Sequence, residues 1–289
     1  MARDCVLGIA VEDEHARYAT FEVHGMRHVL LHVDEHPRDN DSPGWFLRRI
    51  SEPKDKHYRH VSEVSVALGL SSTIMHVFPL DASLSQSERN DHIHWELSSY
   101  IPEYDPKQYV VDWRILRPAS QDQVADLLVV AVNRSLVLEI QKFINDQQLR
   151  IGTIDTSYFA SEFSFQVNYA ERKTKSVILI VLHRTHAEIG WEANGKLVHF
   201  ELVRETSPSK IVQRIRRHLP DYPVSEVYCC GEISNTEDVK TFQYELGLPA
   251  LVVNPFNRLV KRSLWKTSQS LRGSEFVLNS CAGIALQPQ

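Results

Sequence analysis

SEVSVAL (62–68), TIMHVFPL (73–80), SQSERNDHIHWELSSYIP (85–102), YVVDWRIL (109–116) and DLLVVAV (126–132) follow one another with little between them, and their reading decides the fold. Four of the five are short runs rich in β-branched and aromatic residues, bounded by turn formers, and read as strands. The third is a helix. Ser85 and Glu88 fit a capping box, Ile93, Leu97 and Ile101 recur at helical spacing, and Pro102 stops it. The order is strand, strand, helix, strand, strand, and the last four, over 73–132, make a small α+β unit set within a larger chain.

On its N-terminal side, VLGIAV (6–11), ARYATFEV (16–23) and MRHVLLHV (26–33) alternate as a strand meander, with His24-Gly25 as one turn. EHPRDNDSPGW (35–45) and SEPKDKHYRH (51–60) read as loops. On its C-terminal side a helix carries Leu136, Ile140, Phe143 and Ile144 on one face. A buried strand VILIVL (177–182) then opens a second block. It continues as a hairpin, HAEIGWEANGKLVHFELV (186–203), whose Asn194-Gly195 signals a type I′ turn. A helix from Ser207-Pro208 turns Ile211, Ile215 and Leu219 inward. Strand SEVYCCG (225–231) follows, then a helix with Ser234 and Glu237 at its start, Val239, Phe242 and Leu246 inward, and Gly247 as its stop. A strand ALVVNPF (250–256) and a helix near 275–286 complete the chain. The strand blocks near 6–33 and 176–203 look like an internal duplication, each introducing an α/β half.

A chain of 289 residues can bury a sizeable core in one or two domains. Its net charge of −5 removes the basic bias expected of a nucleic-acid or anionic-membrane binder. The four cysteines, Cys5, Cys229, Cys230 and Cys281, form no CxxC, and adjacent Cys229 and Cys230 point to opposite faces of a strand, which suits a reducing compartment. MARDCVLGIAVEDE at the start has no long apolar run, so no signal peptide is expected. VILIVL is too short to span a bilayer, and GIALQPQ at the end is no basic amphipathic anchor. Membrane association is expected only through a partner, without direct insertion.

SEVSVAL, FPL (78–80), HWELSSYIP (94–102), VVDWRIL (110–116), LLVVAV (127–132) and IDTSYFA (154–160) resemble, in order and spacing, the middle of the PilM family. These are actin-like cytoplasmic proteins of type IV pilus assembly, related to FtsA and GspL. The resemblance extends to NPF (254–256) and AGIAL (282–286). It implies an α/β, actin-like (ribonuclease H-like) fold of two halves. Residues 1–72 would be the N-terminal part of the first half and 73–132 an inserted α+β subdomain of the FtsA/PilM type. Residues 133–175 would be the return helix and connection, and 176–289 a shortened second half.

Actin-like ATPases hold MgATP between the halves, with an Asp-x-Gly in each hairpin. The Asp orients Mg²⁺ through its waters, and the Gly lets backbone N–H groups approach a phosphate. In LGIAVE (7–12), Ala10 stands at the Asp position and Glu12 at the Gly position. In ILIVLH (178–183), Val181 and His183 stand there. The adenosine motif, usually Gly-Gly, reads CCGEIS (229–234), with Gly231 kept and Glu232 beside it. A carboxylate repels a phosphate, a Cβ blocks close approach, and valine cannot ligate Mg²⁺. Relatives also carry several dozen residues before the adenosine motif where this chain has only a helix (208–219) and a loop (220–224). The expectation is a pseudo-ATPase with no catalytic residue, no cofactor and no metal.

Other candidates have plainer readings. His24, His28, His32 and His36 recur every four residues, but on strands neighbours would lie about 13 Å apart, too far for shared ligation; they are expected to face solvent. His92 and His94 face different directions on a helix, and His183 and His186 are expected on opposite faces of a strand or in its turn. Cys229 or Cys230 would need a nearby His to act as a nucleophile, so both are read as core. Lys210, Arg214, Arg216 and Arg217 form a solvated helix face, with an acidic partner segment as the alternative. Most of Trp95, Tyr100, Tyr104, Tyr109 and Trp113 are expected in the core, with some lining a groove.

The resemblance implies a scaffold whose groove, between the inserted subdomain and the first half, receives the cytoplasmic tail of a PilN-like bitopic membrane protein. It also implies contact with other pilus or type II secretion-like platform proteins. An active ATPase with a rearranged phosphate site, an FtsA-like polymerising scaffold, other self-association, and a metal-dependent enzyme stay open.

Overall fold

A computed structural model of the chain describes residues 4–25, 27–39, 44–51, 58, 60–117, 124–232, 236–267 and 274–288. β1 (Cys5–Val11), β2 (His15–His24) and β3 (Arg27–Pro37) form an antiparallel meander. A short α1 (Arg48–Ser51) leads to β4 (Val61–Leu68), which lies parallel to β1. Next come β5 (Thr73–Asp81), α2 (Gln86–Tyr100), β6 (Tyr109–Arg117) and β7 (Val124–Asn133), which form a separate sheet in the order β5-β7-β6. α3 (Arg134–Asp146), β8 (Arg150–Thr156) and α4 (Ser157–Asn168) return the chain to the first sheet.

The second block repeats the first. β9 (Ser176–Leu182), β10 (Ala187–Ala193) and β11 (Lys196–Val203) form another antiparallel meander. Only α5 (Pro208–His218) stands between it and β12 (Glu226–Gly231), which is followed by α6 (Thr236–Leu246) and β13 (Ala250–Val252). β14 (Val260–Thr267) pairs with β3, and α7 (Asn279–Leu286) comes last. The large sheets run β14-β3-β2-β1-β4-β8 and β11-β10-β9-β12-β13. Without β14, each is a meander whose first strand is extended on its other side by two successive parallel strands. This is the two-half, actin-like fold, and the internal duplication is real.

Two helices lie between the sheets. Ala160 of α4 packs into the first half's core, whereas Tyr158 and Phe165 pack against Val177, Leu179 and Tyr228 of the second. α7 lies directly on β1: a Cβ at Gly8 would meet the Cys281 carbonyl at 2.0 Å. Ser161 and Ser280 hydroxyls, 2.8 Å apart, join the two helices. α7 is therefore buried between the halves, and α4 is buried on the sides that face their two cores.

Several expectations need correction. β8, α4 and β14 were not read from the sequence. α4 shows no apolar stripe because both its faces are covered, and β8 is a half-buried edge strand. ALVVNPF is strand only over Ala250–Val252, since Asn254 turns to bond the Phe256 amide. Ser207 precedes α5 but its side chain makes no cap bond. Of the five aromatic residues, Trp95 and Tyr100 are exposed and the other three only half-buried, because Ile93, Leu97 and Ile101 take the inward positions beside α2. His32 is buried rather than solvent-facing, beside Asp34. The Ser85–Glu88 capping box is present in both directions. Ser234, Met26 and parts of both predicted loops lie outside the described residues.

Candidate functional site

The tips of the β1–β2 and β9–β10 hairpins meet where the two halves face each other. Ala10 and Val181 are both fully packed, the first under α7 and the second between the halves. Glu12 and His183 sit at the tips. His183 Nε2 donates to Glu188 Oε2 at 2.8 Å, and its Nδ1 lies 3.8 Å from Glu12 Oε2. Arg17, only 3 % exposed, extends from β2 into the same space. It lies 3.1 Å from Glu12, 2.9 Å from Glu35 and 2.6 Å from Glu232.

Glu232 is placed by Gly231. That glycine has φ +85°, and a Cβ on it would lie 2.2 Å from the Leu182 carbonyl. Only glycine allows β12 to end so close to β9. The second oxygen of Glu232 accepts from Arg184 Nε at 2.7 Å, and Arg184 also pairs with Glu14. Arg17–Glu232, Glu12–His183 and Glu14–Arg184 all cross between the halves.

This network fixes its own charges. Burial alone would raise the Glu12 carboxyl, but the Arg17 charge and the bond to His183 hold it down at about 2. Burial alone would lower His183, but Glu188 and Glu12 hold it at about 10, so it is an imidazolium at neutral pH. Both histidines lie in the turn between β9 and β10, the second of the two placements expected for them, and His186 stacks on His183 at 4.2 Å. Burial and the His183 charge push His186 down to about 4, so it stays neutral. His183, His186 and Glu188 bring ligand-type atoms within 4.8 Å of one another. A metal there would have to displace the proton that Glu188 and Glu12 hold on His183.

The space left at the tips is small. A cavity of about 50 Å³ is lined by Glu12, Glu14, His183, Arg184 and Glu232. Small-molecule sites usually measure about 300–1,000 Å³. Where the resemblance places the phosphates of a nucleotide, this chain packs its own carboxylates, a guanidinium and an imidazolium.

A cavity of about 600 Å³ opens elsewhere, between β6 and β7 of the small sheet and β8 with α4 of the first half. Val110, Leu128, Val130, Phe159 and Phe163 form apolar walls, and Asp112, Asp155 and Glu162 add carboxylates. Glu162 is bound by Arg114 at 2.8 Å, yet burial still raises its carboxyl above the usual range. Burial likewise raises Asp155, which accepts from Gln287 at 3.1 Å. β6 and β8 are both edge strands, with unpaired backbone groups along one side. The tail groove named from the resemblance, for which no contact residues were read, corresponds to this opening in position.

The other candidates are structural. All four cysteines are buried and none is in a disulfide, and burial raises the Cys229 and Cys230 thiols, which disfavours the reactive thiolate. Lys210 pairs with Glu205 and Arg214 with Glu201 on the outer side of α5. The sequence reading missed Arg17, Arg184 and Glu188. An arginine two residues after a hairpin turn, facing a second hairpin with a histidine in its turn, was the available signal.

The family described as type IV pilus assembly protein PilM matches residues 22–189, more than half of the chain. No curated protein matches the sequence. Among solved structures, the PilM–PilN type IV pilus biogenesis complex superposes with a TM-score of 0.73 at 14% identity, covering 98% of this chain and 99% of that one. A Bacteroides thetaiotaomicron protein with an actin-like ATPase fold gives 0.57 at 10% identity, covering 89% and 93%. The cytoplasmic domain of EpsL, an inner-membrane component of the Vibrio cholerae type II secretion system, gives 0.52 at 8% identity, covering 99% and 96%. At these identities the likeness establishes the shared actin-like fold.

Proposed function

The chain belongs to the PilM family of type IV pilus assembly proteins, and from that premise we propose that it is a non-catalytic scaffold of pilus assembly. It would lie at the cytoplasmic face of the inner membrane, held there by the tail of a PilN-like membrane partner. No helix among its described residues is long and apolar enough to cross a membrane itself. The observation that carries the reading is the contrast between its two openings. The cleft between the hairpins is closed by the Arg17–Glu232 and Glu12–His183 pairs. The groove between the small sheet and α4 is open and mostly apolar.

The groove's chemistry suggests what would occupy it. Its apolar walls suit two or three aliphatic side chains of an extended segment, and an edge strand can add main-chain hydrogen bonds. Asp112 and Asp155 favour a lysine or arginine on that segment. Other platform proteins would meet surfaces outside this groove.

Two titrations test the reading. MgATP added to the nucleotide-free chain should give no saturable heat up to millimolar concentration. The cytoplasmic N-terminal peptide of a PilN homologue from the same organism should bind stoichiometrically. Micromolar MgATP binding would make the protein an ATPase, and a peptide without affinity would remove the groove's assigned role.

A further inference from the structure

His199 and Glu201 are two residues apart on β11 and face the same side of the sheet, towards α5. On α5, Ile211 and Ile215 turn into the core. His218 lies seven and three residues further along and continues that stripe. The three side chains converge: one ligand-type atom from each lies within 4.8 Å of the others. Glu201 Oε2 is 3.4 Å from His218 Nε2, and the two imidazole centroids are 4.4 Å apart.

The surroundings hold this arrangement in place. Trp191 packs edge-on against both imidazoles, and Tyr222 stacks on His199 at 5.0 Å. Arg214 approaches the other Glu201 oxygen, Oε1, at 3.6 Å, which orients the carboxylate. Glu201 Oε2 is buried and makes no hydrogen bond. The three residues are half-buried, shielded from bulk water but within reach of an ion.

We infer that His199, Glu201 and His218 form a site for a divalent transition metal, with Zn²⁺ the best fit. Two imidazole nitrogens and one carboxylate oxygen are borderline ligands of the kind that ion takes, and they leave a fourth position for water or a partner's side chain. Zn–N bonds of about 2.0–2.1 Å set tetrahedral ligand atoms about 3.3 Å apart, so binding requires the side chains to draw in by about 1 Å. The expectation of no metal considered spacings within single elements. This group spans β11 and α5.

The test uses the full chain stripped with a chelator and titrated with Zn²⁺ by calorimetry. Co²⁺ serves as a second probe because its visible absorption reports four-coordinate geometry. One equivalent of Zn²⁺ should bind, and His218→Gln and Glu201→Gln should each weaken binding by at least about tenfold. Glu201→Gln preserves shape, so it decides the matter if the histidine variant folds poorly. No binding up to millimolar metal would overturn the inference. So would stoichiometric binding that both variants leave unchanged.

Discussion

Arg17 Nη2, on the first half, lies 2.6 Å from Glu232 Oε1 on the second, and the same guanidinium also serves Glu12 and Glu35. One cation thus compensates three carboxylates at 3 % exposure. Removing it strips Glu35 of that partner and leaves Glu12 to His183 and Glu232 to Arg184, and breaking a buried pair from one side costs about 3–5 kcal/mol. Arg17→Met should lower stability by that order in denaturant titration, with a clear drop in melting temperature. A loss below about 1 kcal/mol would mean that water already screens the network.

His183 and its neighbours predict how stability varies with pH. His183 is raised from 6.5 to about 10 in the fold. Its contribution is complete below pH 6.5 and is lost as pH rises towards 10, because the folded state binds the extra proton in that interval. His186 is lowered to about 4, so from pH 6.5 down to 4 the unfolded state binds more protons and stability falls. Glu12, held at about 2, adds a further loss from pH 4.5 downward. Thermal melts should therefore peak near pH 6–7. His183→Gln should flatten the alkaline side and, because His183 helps hold Glu12 down, shrink the limb below pH 4.5 to the part that Arg17 sustains.

Much of this fold is legible along single elements. The Ser85–Glu88 box, the Asn194-Gly195 turn and the paired strand blocks are local signals, and local chemistry determines them. Ala10, Glu12, Val181 and His183 are legible as departures, because a family pattern fixes what should stand there. The Arg17–Glu232 pair itself is not, since the two are 215 residues apart, and Glu232 was legible only as the neighbour of Gly231 in the altered adenosine motif. α4 escapes for a different reason. A helix that packs against both halves needs small and apolar residues on more than one face, as Ala160, Ser164 and Phe165 show, which blurs the amphipathic period.

Gly231 should tolerate no side chain. Its φ of +85° lies outside what L residues adopt easily, and the Leu182 carbonyl occupies the Cβ position at 2.2 Å. Backbone strain alone is worth about 1–3 kcal/mol, and the overlap adds to it. Gly231→Ala should destabilise the protein by at least that much and displace Glu232 from Arg17. Gly247, with φ +68° but open space around it, is the control. Its alanine variant should carry only the strain, so the difference between the two melts measures the overlap.

The groove predicts a separation between binding and stability. Asp155 is partly buried against Gln287, and Phe163 forms part of the apolar wall on α4. Neither belongs to the Arg17 network. Asp155→Asn keeps the shape but removes the charge that would attract a basic tail residue. Phe163→Ala removes wall area without opening a buried core, since Phe163 is only half-buried. Each variant should weaken the partner-tail peptide about tenfold or more, the loss expected when a contact at an interface hot spot is cut. Melting temperature should move little. High salt should reduce wild-type affinity and have less effect on Asp155→Asn, because the screened interaction is already gone. Equal salt dependence in both proteins would show that the carboxylate is not read by the tail, and the groove would then act through its apolar walls alone.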